Sequence, residues 1–169
     1  MNRHRIIIDG YNLLHKIPNL VRLVDTDLER ARDLLVSRLV GYRAQKNARI
    51  TVVFDGRGPQ LSPPGGRSAT GVEVVFSRAP ENADARIKAM ITREKNPRSC
   101  TVVTSDNSIR IHVRDFGAKV VSAADFAREL SGRSASQTVT RVRRPSEKPE
   151  MSASDVAKWE EYFRTGREE

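Results

Sequence analysis

The sequence predicts an α/β fold with a mostly parallel central sheet of about five strands and helices on both faces of that sheet. Short runs of β-branched residues alternate along the chain with segments whose apolar residues recur every three or four positions. The first such run, Ile6-Ile7-Ile8, has no polar alternation, which is typical of a strand buried on both faces. A chain of 169 residues suits one domain of this kind with an appendage.

The first predicted strand, Arg5 to Ile8, ends at Asp9-Gly10. A polar stretch that contains a proline follows it. The segment Thr26-Asp27-Leu28-Glu29 then has the spacing of a capping box, which predicts the start of a long helix. The apolar stripe of this helix consists of Leu28, Ala31, Leu35, Leu39 and Tyr42. Its arginines are therefore expected to point largely away from the sheet.

Four more strands and three more helices are predicted after residue 49. The strands are Ile50 to Phe54, Val72 to Phe76, Thr101 to Thr104 and Lys119 to Ser122. The first of the helices begins near Pro80, and the second runs from about Ser108 to Phe116 and stops before Gly117. The third spans Ala124 to Leu130. The segment from 57 to 71 is rich in glycine and proline and has no periodicity, so it is predicted to be a long loop.

We predict a domain over residues 1–130 and an appendage over residues 131–169. Serine, arginine, proline and threonine dominate residues 131–151, a composition typical of a linker or wrapping arm. A last helix beginning at Ser154 carries Val156, Trp159 and Phe163 on one stripe, so we expect it to dock on the domain.

The positive charge of the chain belongs mainly to the predicted domain. The net charge is +9, with 22 basic and 14 acidic side chains up to residue 130 and 8 against 7 after it. A basic domain favours a polyanionic partner such as nucleic acid. The single cysteine, Cys100, lies in an apolar run and is expected to be a buried core residue. With one cysteine and no apolar run of membrane-spanning length, the chain is predicted to be cytoplasmic and not to bind a membrane.

Three predicted strands are followed by an acidic residue, and these residues are Asp9, Asp55 and Asp106. Because the carboxyl ends of parallel strands share one edge of a sheet, we expect the three carboxylates to lie near one another. Asp84, at the start of a helix entered from that edge, can join them. Carboxylates collected in this way raise one another's pKa unless a cation lies between them. Oxygen ligands without histidine or cysteine favour one or two Mg²⁺ or Mn²⁺ ions.

Each of these residues also has a structural explanation. Asp9-Gly10 and Asp55-Gly56 are ordinary turn dipeptides, and Asp84 would favour any helix N-terminus. Ser105 and Asp106 could cap the helix that follows them.

Two neighbouring polar residues are equally open to both interpretations. Asn12 could cap a turn, or could hold Asp9 and a metal-bound water in place. The capping box accounts for Glu29, which is retained only as a candidate outer ligand together with Ser105.

An acidic centre within a basic domain is the arrangement that a metal-dependent nuclease requires. The aspartates would hold the cation, a metal-activated water would attack phosphorus, and arginines would hold the phosphates of a nucleic-acid backbone. The candidates for contact with the nucleic acid are Arg57, Arg67 and Arg78, which border the proposed edge, and Arg110, which lies one turn into a helix that starts there. An arginine on a solvated face is the ordinary alternative for each of them.

Four segments together resemble the NYN family of PIN-like nucleases, and in particular its bacterial YacP-like branch. They are Ile8-Asp9-Gly10-Tyr11-Asn12, Val53-Phe54-Asp55-Gly56, Ala83-Asp84 and Val103-Thr104-Ser105-Asp106. The resemblance extends from about residue 5 to residue 130 and includes the glycine- and proline-rich loop. It implies a Rossmann-like PIN fold with three layers and a metal-dependent endoribonuclease activity.

The resemblance also implies a role for each matching residue. By position, Asp9 is the first metal-binding aspartate and Asn12 its supporting amide. Asp84 and Asp106 complete the carboxylate set, whereas Asp55 matches an acidic strand end whose direct ligation stays open. Ala85 stands where a second acidic residue is expected, which leaves the number of metal ions open.

We therefore predict an endoribonuclease of RNA turnover that leaves 5′-phosphate and 3′-hydroxyl ends, with RNA and, by extension, the ribosome as partners. Two other functions stay open. A non-catalytic RNA- or ribosome-binding module would bind RNA without a divalent ion. A phosphatase acting on small phosphoesters is disfavoured because Asp9 is followed two residues later by Tyr11 rather than by a second aspartate. The oligomeric state is not predicted.

Overall fold

A computed structural model of the chain describes residues 3–56, 67–69 and 71–136, and it describes side chains for residues 3–56 and 71–132. The chain divides into two units, residues 1–135 and residues 136–169, and the fold described below is that of the first unit. The predicted helix from Ser154, with its docking, lies outside the described residues.

The described residues form a sheet of six strands, five of which are parallel. The strands are β1 (Arg5–Asp9), β2 (Arg49–Phe54), β3 (Arg67–Ala69), β4 (Val72–Phe76), β5 (Cys100–Val103) and β6 (Lys119–Val121). Their order across the sheet is β3-β4-β2-β1-β5-β6, and β3 pairs antiparallel to β4 at the edge. The predicted mostly parallel sheet is confirmed. The short strand β3 was not predicted because it lies in the segment rich in glycine and proline.

The described residues also form six α-helices. They are α1 (Gly10–Leu14), α2 (Pro18–Val24), α3 (Leu28–Lys46), α4 (Ala83–Thr92), α5 (Asn107–Asp115) and α6 (Ala123–Ser136). The polar stretch between β1 and α3, for which we predicted no helix, contains two of them. Helix α2 begins with Pro18, a residue favoured in the first helical turn, and buries Leu20.

Helices cover both faces of the sheet, as a three-layer fold requires. On one face, Ile6 and Ile8 of β1 share a core with residues of α1, α2, α3 and α6. On the other face, Ile7 shares a core with Ile87 of α4 and Val113 of α5. Because side chains alternate along a strand, the Ile6-Ile7-Ile8 run supplies both cores. This alternation explains why β1 has no polar face.

Two predicted helix starts are wrong by a few residues. The N-cap of α3 is Asp27, whose carboxylate accepts a hydrogen bond from the backbone N–H of Arg30, so Thr26 is not the capping residue. The N-cap of α4 is Asn82, and Pro80 lies before the helix in a cis peptide bond with Ala79. In both places a residue whose side-chain oxygen suits an N-cap follows the predicted start closely, and the helix begins after that residue.

Helix α6 ends at Ser136 rather than at Leu130. The first six residues of the predicted linker are therefore helical, and the predicted end of this helix is wrong. Serine and arginine cost little in an exposed helix, so the loss of apolar periodicity did not indicate its end. Gly117, by contrast, follows α5 with a positive φ of 80°, as a helix terminator should.

Two predictions from composition can be compared with the structure. Cys100 is buried, and this burial raises the pKa of its thiol, as expected for a core cysteine. Among the helices of the described ranges, none has the length and apolar character needed to cross a bilayer.

Candidate active site

Asp9 lies where the chain reverses its direction of travel across the sheet. From β1 the chain proceeds to β2 and β4 on one side, and it then returns to the other side of β1 through β5 and β6. Ligands of open α/β folds bind at the carboxyl ends of the strands beside such a switch point. Here β1 ends at Asp9, while β5 leads into Thr104, Ser105 and Asp106. The topology therefore brings the ends of β1 and β5 together, as predicted.

The carboxylate of Asp9 is half-buried and has weak hydrogen-bond partners. Its Oδ1 accepts from the backbone N–H of Asn12 at 3.5 Å, and its Oδ2 accepts from the Thr104 hydroxyl at 3.4 Å. Both distances are long for such bonds. Burial raises the pKa of Asp9, and the negative charges of Asp106 and Asp84 raise it further, whereas the two hydrogen bonds lower it. The charge of Asp9 is therefore poorly compensated by the protein.

Asp84 reaches the same edge from the first turn of α4, as its raising effect on the pKa of Asp9 indicates. Its Oδ2 lies 3.1 Å from the ammonium of Lys88, one turn further along the helix. Lys88 also donates a hydrogen bond of 2.6 Å to the hydroxyl of Ser108. The other oxygen of Asp84, Oδ1, is buried and has no hydrogen-bond partner among the residues that the structure describes. A buried carboxylate oxygen without a donor is costly unless a cation or water satisfies it.

Asp106 both caps a helix and faces the site. Its Oδ1 accepts from the backbone N–H of Ile109 at 3.1 Å, so the predicted capping role is confirmed. Its own backbone N–H donates to the Thr104 hydroxyl at 3.1 Å. Thr104 is fully buried, and its hydroxyl connects Asp9 to Asp106 because it donates to the first and accepts from the second. With Oδ1 engaged in the cap, Oδ2 is the oxygen of Asp106 that is left for a ligand.

Asn12 joins the ends of β1 and β5 instead of holding Asp9 through its amide. Its Oδ1 accepts from the backbone N–H of Ser105 at 3.0 Å, and only its backbone N–H contacts Asp9. The hydroxyl of Ser105 in turn accepts from the backbone N–H of Ala123. These bonds position the β5–α5 loop. The predicted contact of Asn12 with a metal-bound water and the predicted outer-ligand role of Ser105 stay predictions.

Asp55 and Glu29 stand apart from the other carboxylates. Asp55 is exposed at the end of β2 and accepts a hydrogen bond of 2.8 Å from the Ser77 hydroxyl. Glu29 is exposed in the first turn of α3. It does not complete a capping box, since the cap is Asp27. Neither is among the groups that shift the pKa of Asp9.

The four candidate arginines are distributed differently. Arg78 is exposed just after β4, and Arg110 is half-buried in α5, where its Nη1 lies 3.5 Å from the side-chain oxygen of Asn107. The backbone of Arg67 begins β3, but its side chain lies outside the described residues, and so does the whole of Arg57. Their contact with RNA stays a prediction.

No three histidine, cysteine or acidic side chains within the described ranges are grouped closely enough to hold a metal ion. The convergence of Asp9, Asp84 and Asp106 on one ion is therefore still a prediction. Like charges repel when no cation lies between them, and here Asp84 contacts Lys88 while Asp106 caps α5. Two features do fit a cation: the unpartnered Oδ1 of Asp84 and the poorly compensated charge of Asp9. All the donors are oxygens, which suits Mg²⁺ or Mn²⁺.

Two functional neighbours of the aspartates were missed in the sequence. Thr104 was assigned to the strand alone, although a hydroxyl two residues before an acidic N-cap could have indicated its contact with Asp106. Lys88 follows Asp84 by four residues, the spacing of a helical ion pair, and this signal was available. The bond between Lys88 and Ser108 joins two helices and has no sequence signature.

Comparison with known proteins assigns the chain to a family. Residues 6–164 match the family model described as "YacP-like NYN domain". The chain belongs to the YacP-like NYN domain family. It is 32% identical over 166 residues to "Uncharacterized protein YacP" of Bacillus subtilis (strain 168), an alignment that covers 95% of this chain and 92% of that protein.

Crystal structures of family members have the same fold. The crystal structure of Rae1 (YacP) from Bacillus subtilis matches with a TM-score of 0.67 and 30% identity, covering 98% of this chain and 92% of that one. A tryptophan-to-leucine mutant of the same Bacillus protein matches with a TM-score of 0.62 and 26% identity, over 80% and 86% of the two chains. The predicted family and the Rossmann-like PIN/NYN fold are thus confirmed. NYN domains are generally nucleases, so membership makes RNA the expected class of substrate.

Proposed function

We propose that this chain is a metal-dependent endoribonuclease whose centre is formed by Asp9, Asp84 and Asp106. The observation that carries the proposal is the state of Asp9 and Asp84. Asp9 is half-buried and is influenced by the charges of two other carboxylates, and Asp84 keeps a buried oxygen that has no donor within the described ranges. A divalent cation would satisfy both groups at once.

The three aspartates would share the task of holding the ion. Asp9 would supply either oxygen, since its two hydrogen bonds are long, and Asp84 would supply the unpartnered Oδ1. Asp106 would supply Oδ2 while its Oδ1 continues to cap α5. When bound, Mg²⁺ or Mn²⁺ would activate water and neutralise charge that develops on the phosphate.

The other residues of the site keep this arrangement in place. The Thr104 hydroxyl donates to Asp9 and accepts from the backbone of Asp106, so it fixes the distance between the ends of β1 and β5. The side chain of Asn12 holds the same two strand ends together through Ser105. Such contacts around a metal ligand set its orientation and its affinity for the ion.

The proposal is tested by following cleavage of an end-labelled single-stranded RNA with Mn²⁺, with Mg²⁺ and with EDTA. We expect cleavage with either metal and none with EDTA. Asp84→Asn should lower the rate by about 10²–10³-fold, because it removes a charge aimed at the cation. Asp115→Asn, an exposed residue at the end of α5, is the matched control and should leave the rate unchanged. Equal rates for wild type and Asp84→Asn would overturn the proposed centre.

The same samples distinguish an RNA-binding module from an enzyme. If RNA binds but no divalent ion binds at millimolar concentration, the chain is a binding module that retains the fold.

We further propose RNA turnover as the process and the ribosome as a partner, supported by the net charge of +9, which suits a phosphate-rich surface. Sedimentation of the purified chain with ribosomes tests this partner. If the chain is absent from the ribosomal pellet, the proposal of the ribosome as a partner is contradicted.

Lys88→Met should tighten the binding of Mn²⁺ to the metal-free protein. The ammonium of Lys88 neutralises Asp84 in place of a cation, and both side chains are about one-third exposed, at 27% and 37%. An ion pair of this exposure is worth at most about 1 kcal/mol, which corresponds to a roughly twofold to fivefold change in affinity. Isothermal titration calorimetry measures this change. Lys95→Met, at an exposed lysine after α4, should have no effect, and an unchanged affinity in Lys88→Met would show that the lysine does not compete.

A further inference from the structure

Arg32 lies over a group of aromatic rings at the carboxyl end of the sheet. Its guanidinium carbon is 5.5 Å from the ring centre of Tyr11, 5.8 Å from that of Phe54 and 5.4 Å from that of Phe76. These distances are typical of cation–π contacts. We refer to Arg32, Tyr11, Phe54 and Phe76 as the Arg32 cluster.

The hydrogen bonds of Arg32 leave part of its guanidinium unused. Its Nε donates to the Tyr11 hydroxyl at 3.0 Å, and its Nη2 donates to the same oxygen. Its Nη1 donates to no acceptor within the part of the chain that the structure describes. No described carboxylate lies within salt-bridge distance of Arg32 either, in contrast to Arg5, which pairs with Glu94, and Arg86, which pairs with Glu81.

Arg32 is half-buried, and a buried positive charge is usually paired with a carboxylate, which Arg32 lacks among the described residues. The rings hold the guanidinium plane and the Tyr11 hydroxyl fixes one of its edges, so much of the conformational entropy of the side chain is already lost. An anion that reached the remaining N–H groups would meet a preorganised donor. The planar donor array of arginine fits the oxygens of a phosphate.

The position of the Arg32 cluster relates it to the proposed site. Phe54 ends β2, Phe76 is paired with it at the end of β4, and Tyr11 follows Asp9 by two residues. Phe54 belongs to the core on the α3 side of the sheet, whereas strand alternation directs Asp9 toward the α4 and α5 side. The cluster and the aspartates therefore share an edge but lie on opposite sides of it.

We propose that Arg32 binds a phosphate of the RNA substrate that flanks the cleaved bond. This inference rests on the proposed function, because RNA is the polyanion that the function supplies. An RNA strand crossing the edge of the sheet would meet the aspartates on one side and Arg32 on the other. Arg32 would thus hold a neighbouring nucleotide and would act on binding rather than on the cleavage step.

The test measures binding of a fluorescent single-stranded RNA by anisotropy, in EDTA, over a range of salt concentrations. We expect Arg32→Met to weaken binding by roughly threefold to tenfold at low salt. The slope of log affinity against log salt should fall by about 0.7, the value for one lost phosphate contact on a single strand. Arg38→Met, which removes an exposed arginine from the same helix, is the control and should change neither quantity.

A purely structural role for Arg32 predicts different results. Arg32→Lys keeps the positive charge but loses the planar donors, so the proposal expects the wild-type salt slope with a weaker affinity. If Arg32→Met does not fold, the affinity and the salt slope are measured on Arg32→Lys instead. A structural role instead predicts a lower melting temperature with wild-type affinity and slope in both variants, and that result would overturn the inference.

This experiment can fail independently of the proposed function. Binding is measured without metal, so a chain that binds RNA but does not cleave it still tests Arg32. If wild type cleaves RNA while Arg32→Met has the wild-type affinity and salt slope, the endoribonuclease stands and the Arg32 contact does not. With metal present, the contact should appear as a raised KM at nearly unchanged kcat.

Discussion

Asp9→Asn should remove most RNA cleavage and at the same time make the metal-free protein more stable. The activity should fall by about 10²–10³-fold, the usual scale when a preorganised charge at a reacting centre is lost. Asparagine keeps one side-chain oxygen, which can accept from the backbone N–H of Asn12, so it is as good an N-cap for α1 as aspartate. In place of Oδ2 it carries an NH₂ group, which can donate to the Thr104 hydroxyl instead of accepting from it. The change therefore removes the charge with little alteration of shape.

The gain in stability follows from the direction of the pKa shift. Burial raises the pKa of Asp9 above its ordinary value of 3.8, with further increases from Asp106 and Asp84. The folded state thus prefers the protonated carboxyl, and ionisation destabilises it. The stabilising contribution of Asp9 is complete below pH 3.8 and is lost as the pH rises through the raised value of the folded state. Asparagine does not ionise, so the Asp9→Asn variant does not lose this stability as the pH rises.

Urea denaturation in EDTA, repeated from about pH 4 to pH 7, measures this difference. The advantage of Asp9→Asn should be small at the acidic end and largest at neutral pH. Asp125→Asn provides a control of opposite sign, because hydrogen bonds from Ser122 and then from Arg128 lower the pKa of that exposed carboxyl. Lower stability of Asp9→Asn at neutral pH would contradict the poorly compensated charge, whatever the activity shows.

The sheet was accessible from sequence because its strands are continuous apolar runs. Ile6-Ile7-Ile8 could be placed between two layers of helices without any tertiary information, and the observed cores on both faces confirm it. Helices α1 and α2 were not accessible in this way. Helix α1 has five residues and starts directly from the strand, with Asp9 as its cap. Its Asp-Gly start is indistinguishable from a turn until the packing of Leu13 and Leu14 is known.

The candidate site, too, could be predicted from the sequence only in part. Asp9 and Asp106 could be placed on one edge because parallel strands share their direction, and the structure brings them into electrostatic contact. Thr104 and Lys88 act through side-chain contacts that depend on rotamers and on the approach of two helices. Arg32 was grouped with arginines that point away from the sheet, and its position over three rings depends on how α3 packs on β2 and β4. Such contacts come from packing, which the pattern of residues does not specify.

Gly10→Ala should destabilise the protein although the backbone of Gly10 is helical. A Cβ at this position would lie 2.4 Å from Cε1 of Phe54, well inside contact distance. The Phe54 ring is fully buried and packs against Tyr11 at 5.2 Å and Phe76 at 5.7 Å between ring centres, so it has little room to move. Overpacking of this kind costs about 1–3 kcal/mol in the free energy of unfolding.

Gly41→Ala is the matched comparison, because Gly41 is also helical but a Cβ there would meet nothing within 4 Å. It should stabilise the protein by about 0.5–1 kcal/mol through helix propensity and the unfolded state. Denaturation of both variants then isolates the contact with Phe54, since the backbone effect of alanine has the same sign in each. If Gly10→Ala were as stable as Gly41→Ala, the Phe54 ring would have to be free to shift. The same freedom would remove the rigid support under Arg32, so this pair of glycines also tests whether the Arg32 cluster is preorganised for a phosphate.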